Sequence, residues 1–76
     1  MNVFITGASG GLGRAMANEC GRRGYNMLLC DINEQGLKSI QRGLERQFGV
    51  TVTTAACDLT SEASVDALMQ RLVSYQ

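Results

Sequence analysis

Four glycines crowd the first thirteen positions of the chain, Gly7, Gly10, Gly11 and Gly13, directly behind the short run Asn2-Val3-Phe4-Ile5-Thr6. Glycines at that density, where a strand turns into a helix, suit the close approach of a phosphate. The first N–H groups of a helix have no partner within it, and the aligned peptide dipoles make that end positive. An anion is drawn there, and a pyrophosphate comes close only if side chains are absent. Gly7 permits a tight exit from the strand. Gly11 and Gly13 leave the backbone bare, and Gly13 also lets the helix lie against the sheet. Ser9 offers a hydroxyl donor. The fingerprint G-x-G-x-x-G is met only in part, because Met16 holds its third position, and no Gly-Lys-Ser/Thr follows as in a Walker loop.

Two aspartates form the second constellation. Leu28-Leu29-Cys30-Asp31-Ile32 and Ala55-Ala56-Cys57-Asp58-Leu59 end alike. Each delivers a carboxylate just past the carboxyl end of an apolar run, where open α/β sheets bind their ligands. Asn33 and Thr60 are better placed to cap the helices that follow. For Asp58 a plainer role stays open, that of a turn carboxylate bonding nearby backbone N–H groups.

Other chemistries are excluded or disfavoured. The chain has no histidine, so neither a Ser-His-Asp nor a Cys-His mechanism can operate within it. Cys20, Cys30 and Cys57 are odd in number and lack C-x-x-C spacing, which argues against a disulfide scaffold or a metal site. They read as small core hydrophobes. Seven basic and seven acidic residues cancel, with no like-charge run, so neither a nucleic-acid groove nor an anchor to acidic membranes is expected. No apolar run approaches the ~20 residues of a membrane span, and no signal-like core opens the chain. A cytoplasmic protein is expected.

The elements that must position these residues follow from periodicity. The chain has 76 residues, room for one small core and not for two domains. Behind the glycines, Leu12, Met16 and Cys20 recur every four residues, the expected buried face of a first helix, with Gly24 as its C-terminal cap. Asn26 to Cys30 is continuously apolar after its first residue, as in a strand covered on both faces. A second helix is expected from about Glu34, with Leu37, Ile40, Leu44 and Phe48 on one face and Gly49 closing it. Gly36 and Gly43 inside it are read as softening the helix rather than marking close packing, at about 1 kcal/mol each relative to alanine. Val50 to Ala56 reads as a third strand. Thr60 would cap a third helix, with Val65, Leu68 and Leu72 facing a core. The order β-α-β-α-β-α means an α/β fold with a parallel sheet.

Thr6-Gly7-Ala8-Ser9-Gly10-Gly11-Leu12-Gly13 resembles the T-G-x-x-x-G-x-G motif of the short-chain dehydrogenase/reductase family, and Asp58-Leu59-Thr60 resembles that family's D-[VL]-[TS] element after the third strand. The similarity covers the whole chain. It implies a Rossmann-type βαβαβα unit with a three-stranded parallel sheet in order 3-2-1, the N-terminal half of a doubly wound fold. Residues 1–76 would be a truncated dinucleotide-binding half-domain. The cofactor-binding residues implied are Gly7, Ser9, Gly10, Gly11, Leu12, Gly13, Asp31, Asp58 and Leu59, with Asp58 helping to hold the adenine ring. Asp31, 24 residues after Gly7, would accept bonds from the adenosine ribose hydroxyls and repel a 2′-phosphate. NADP-users of the family commonly carry a cation in the glycine loop or after the second strand; here those positions are Gly10 and Ile32. NAD is the cofactor expected.

The family's chemistry is carried by a serine and a Tyr-x-x-x-Lys pair, which this chain does not contain. Leu29 stands four residues after Tyr25, Tyr75 is next to last, and Glu34 stands four residues before the only lysine, Lys38. No catalytic residue and no metal ligand is therefore expected here, and the chain alone should be inactive. The fourth strand that would lie beside the first is missing too, which leaves an apolar edge exposed. We therefore expect the N-terminal portion of a longer NAD-dependent oxidoreductase acting on an alcohol or carbonyl. Its expected partners are NAD(H), held by the adenosine-pyrophosphate half, and a second copy, met through the first strand or a bare sheet face. The alternative is a stand-alone nucleotide-binding or interaction module without chemistry.

Overall fold

Met27, Leu28, Leu29 and Cys30 are each almost fully buried, as a strand covered on both faces requires. They belong to the central strand of a computed structural model that describes residues 1–75. The elements are β1 (Asn2–Thr6), α1 (Gly11–Arg22), β2 (Asn26–Asp31), α2 (Glu34–Phe48), β3 (Val52–Ala56) and α3 (Glu62–Tyr75). All strands run parallel in the order β1-β2-β3, the expected 3-2-1 half of a Rossmann-type sheet. Val3 stands opposite Met27 and Met27 opposite Val52, so alternate residues of the three strands share one face. Among the described residues no helix is long and apolar enough to cross a membrane.

One face, with Ile5, Met27, Leu29 and Val52, packs against α1 and α2 through Ala17, Leu37, Ile40 and Leu44. The other carries Leu28, Cys30, Ala55 and Cys57 and is covered by Leu68 and Leu72 of α3. The α2 face is the one the periodicity predicts; of the three residues expected on α3, Leu68 and Leu72 meet the core, while Val65 is half-buried outside that cluster. For α1 the expectation is corrected. Leu12 and Met16 are 78% and 50% exposed, while Gly13, Ala17 and Gly21 form the buried stripe. A side chain at Gly13 would strike the backbone of the glycine turn, and a Cβ at Gly21 would lie 2.5 Å from the Phe48 ring. The helix approaches too closely for leucine or methionine to lie beneath it.

Helix ends follow their capping chemistry. The Asn33 side chain accepts the Gly36 N–H and caps α2, worth about 1 kcal/mol. Gly49, at φ +69°, closes α2 in the left-handed conformation and donates to the Glu45 carbonyl. Gly24, at φ +80°, turns the chain after α1, where the Tyr25 N–H reaches back to Cys20. Thr60 does not cap α3. Its hydroxyl and N–H are both given to Asp58, and Ser61 takes the capping position, accepting the Ser64 N–H at 3.4 Å and the Val65 N–H on its carbonyl. β3 starts two residues later than expected, at Val52, because Thr51 donates its N–H to the Asn26 side chain, although its carbonyl already accepts the Met27 N–H.

Candidate nucleotide-binding site

The turn from β1 into α1 is made of backbone. Gly7, at φ +62°, reverses the chain, the Gly10 N–H closes on the Gly7 carbonyl, and the Ala8 N–H ties the turn to Cys30 at the end of β2. Gly10 occupies the N-cap of α1 and supplies no side chain, and the first turn holds no acidic residue. Among the described residues nothing accepts the N–H groups of Gly11, Leu12 and Gly13. The other two helices differ. Asn33 and Glu34 serve the start of α2, Ser61 and Glu62 that of α3. The start of α1 thus keeps its donors and its dipole field for something outside the chain. Gly13 lies so close beneath this turn that a Cβ there would come within 2.9 Å of the Ala8 Cα.

Asp31 reaches the same turn from the end of β2. Its Oδ2 accepts the Ser9 N–H at 3.1 Å and its Oδ1 the Asn33 N–H at 3.0 Å. The Asn33 N–H and the Ser9 donors hold this carboxyl below the usual carboxylate range. Ser9 therefore has a role beyond its hydroxyl, since its backbone anchors the turn to Asp31. Asp58 is half-buried and bonds the Thr60 hydroxyl at 2.6 Å and the Thr60 N–H at 2.9 Å, which lowers its pKa. That is the turn-carboxylate geometry, left open above as the plainer reading.

Between the two aspartates lies a cleft of about 220 Å³ lined by Gly7, Cys30, Asp31, Ile32, Cys57, Asp58 and Leu59. It brings Gly7, Asp31, Asp58 and Leu59 together, while half-buried Ser9, exposed Gly10, Gly11 and Leu12, and buried Gly13 lie outside its lining. The volume is below the ~300–1,000 Å³ of a drug-sized pocket, enough for one end of a long ligand. Cys30 and Cys57 are core residues, as expected, and they also line this cleft, which the sequence reading did not assign them. Strand alternation held part of the signal, pairing 28 with 30 and 55 with 57; the register that sets Cys30 opposite Ala55 puts both pairs on one face. Burial and the neighbouring Cys57 push the Cys30 thiol up to about 11, so Cys30 is uncharged at neutral pH. Arg14 lies elsewhere, beside the groove between α1 and α2 with Ser39 and Gly43. Among the described residues no three His, Cys, Asp or Glu side chains gather as metal ligands would.

Many known proteins are similar to this chain in sequence and in fold. A short-chain dehydrogenase/reductase of Macrophomina phaseolina, dpmpG, is 36% identical over 71 residues, covering 93% of this chain and 41% of that protein. A short-chain dehydrogenase from Sphingobium yanoikuyae, solved in complex with NADPH, superposes with a TM-score of 0.90 at 35% identity, over 93% of this chain and 28% of its own. An NAD+-bound xylitol dehydrogenase matches with a TM-score of 0.87 at 29% identity, over 96% of this chain and 28% of its own. The chain spans less than half the length of these relatives. The family model described as short chain dehydrogenase matches residues 1–75, and by that match the chain belongs to the short-chain dehydrogenase/reductase family.

Proposed function

We propose that this chain is the NAD(H)-binding half of an oxidoreductase that moves hydride between a nicotinamide cofactor and an alcohol or carbonyl substrate. The observation that carries the reading is the start of α1, uncapped and free of acidic residues, with Asp31 bonded to the same turn. Those residues fit a dinucleotide. The Gly11, Leu12 and Gly13 N–H groups would take the pyrophosphate, Asp31 the ribose hydroxyls, and the cleft walled by Cys30, Cys57, Asp58 and Leu59 the adenine. Bound there, the nicotinamide would supply the hydride chemistry; this chain's residues only hold and orient the other end. With no Tyr-x-x-x-Lys in its sequence, the chain alone is expected to be inactive.

NAD is preferred to NADP in this reading because a 2′-phosphate would meet the Asp31 carboxylate, and Ile32 beside it is apolar. Relatives divide on this point, one bearing NADPH and another NAD+, so the preference rests on Asp31 itself. The test is calorimetric titration of the chain and its Asp31→Ala variant with both cofactors. The wild type should favour NAD, and the variant should lose about ten- to a hundredfold in NAD affinity, the worth of charge-assisted bonds, with a smaller loss for NADP. Equal losses would sink the assignment.

Two further statements belong to the same reading. A cytoplasmic location is part of the proposal, and the free thiols of Cys20, Cys30 and Cys57, which suit a reducing compartment, support it. The outer edge of β1 is assigned to a second copy of the chain. The Met1 carbonyl faces β2, so the alternate residues Asn2, Phe4 and Thr6 turn their backbone groups outward. β1 has no charged residue, and antiparallel pairing about a twofold axis would set Phe4 beside Phe4 and Asn2 beside Thr6.

A further inference from the structure

Gly36, in the first turn of α2, touches the glycine turn of α1. A Cβ built there would lie 3.1 Å from the Ser9 Cβ and 2.8 Å from the Asn33 Nδ2, whereas one at Gly43, seven residues on, meets nothing within 4 Å. The two glycines of α2 are therefore unlike. Gly43 only softens the helix, while Gly36 marks a close approach, which corrects the expectation for that position. Gly36 also closes a ring of contacts. Its N–H is held by Asn33 Oδ1 at 3.0 Å, the Asn33 N–H by Asp31 Oδ1 at 3.0 Å, and the Ser9 N–H by Asp31 Oδ2 at 3.1 Å. Ser9 completes the ring by packing on Gly36.

We propose that Gly36 is a positioning residue for diphosphate recognition: its missing side chain lets α2 seat Ser9 and so fixes the turn that presents the Gly11 to Gly13 N–H groups. The inference rests on the nucleotide-binding reading above. A methyl group at position 36 would meet two neighbours at once, the Asn33 amide at 2.8 Å and the Ser9 Cβ at 3.1 Å. Moving the Asn33 amide breaks the cap of α2, because that side chain already holds the Gly36 N–H. Moving Ser9 displaces the turn, because Ser9 is fastened on its other side to Asp31. The Asn33 amide, the nearer, must swing, but its cap bond limits how far, so Ser9 must also give by a few tenths of an ångström.

The experiment titrates the chain with adenosine and with ADP, followed by amide chemical shifts, in the wild type, Gly36→Ala, Gly43→Ala, Ser9→Gly and the Ser9→Gly/Gly36→Ala double variant. Both alanines improve helix propensity, so neither should prevent folding. Gly36→Ala should weaken ADP binding about three- to tenfold, the size of coupling between touching residues, while adenosine affinity stays within about twofold. Gly43→Ala should bind both as the wild type does. Removing the Ser9 Cβ should recover most of the ADP affinity that Gly36→Ala loses, so that the double variant binds ADP close to Ser9→Gly alone. Unchanged ADP affinity in Gly36→Ala, equal losses for ADP and adenosine, or no rescue in the double variant would each overturn the positioning role. Failure of the wild type to bind ADP would overturn the nucleotide-binding reading beneath it.

Discussion

A methyl group at position 13 would lie 2.9 Å from the Ala8 Cα and closer still to the Gly7 carbonyl oxygen, both of them backbone that cannot swing aside. Gly13→Ala should therefore cost about 1–3 kcal/mol of stability by overpacking, read in urea denaturation, and remove nucleotide binding with it. Asp31 acts through charge, and its sign can be worked out. Its folded-state pKa lies below the ordinary 3.8, because the Asn33 and Ser9 donors favour the ionised form. Its contribution is complete above the ordinary carboxylate pKa and is lost as pH falls through the depressed one. The Ser9 and Asn33 amide signals should move together on acidification from about pH 6 to about pH 2, and Asp31→Asn should abolish that titration. The sequence makes Asp31 legible as a carboxylate at a strand end. It does not reveal the bond to Ser9, which joins residues 22 apart and exists only once β1 and β2 are paired.

Elements were legible where apolar periodicity and packing agree. In α2, Leu37, Ile40 and Leu44 are both the periodic residues and the buried ones. In α1 the two diverge. Periodicity selects Leu12 and Met16, but the interhelical and helix–sheet distances are set by Gly13, Ala17 and Gly21, which an apolar count passes over. Gly21→Ala should cost about 1–3 kcal/mol through its contact with the Phe48 ring, and Phe48→Leu in the same chain should recover part of that loss. The polar face of α2 also works on the sheet, which periodicity does not announce. Gln41 donates to the Val52 carbonyl at 2.6 Å, Glu45 accepts the Val52 N–H at 3.1 Å, and Lys38 donates to the Thr54 hydroxyl at 3.1 Å. These side chains fasten and shield the outer edge of β3. Glu45→Ala should cost about 1 kcal/mol in urea denaturation, the worth of one such bond.

At the scale of the whole molecule the sheet has two unlike edges. β3 is laced to α2, while β1 presents the uncharged Asn2–Thr6 with Phe4 still 38% exposed. An edge of that kind invites strand pairing. Sedimentation of the 76-residue chain should show a dimer at high concentration, and Phe4→Lys should shift it to monomer by setting two cations side by side. A wild-type chain that stays monomeric at millimolar concentration would remove the proposed self-association and leave the nucleotide site untouched.

Amide chemical shifts of the wild-type chain titrated with NAD test that nucleotide site most directly. The largest shifts should fall on Gly11, Leu12 and Gly13 at the start of α1 and on Asp31 at the end of β2, with Arg14 and Gly43 beside the other groove little changed. Shifts confined to that other groove, or none at millimolar NAD, would contradict the nucleotide-binding reading.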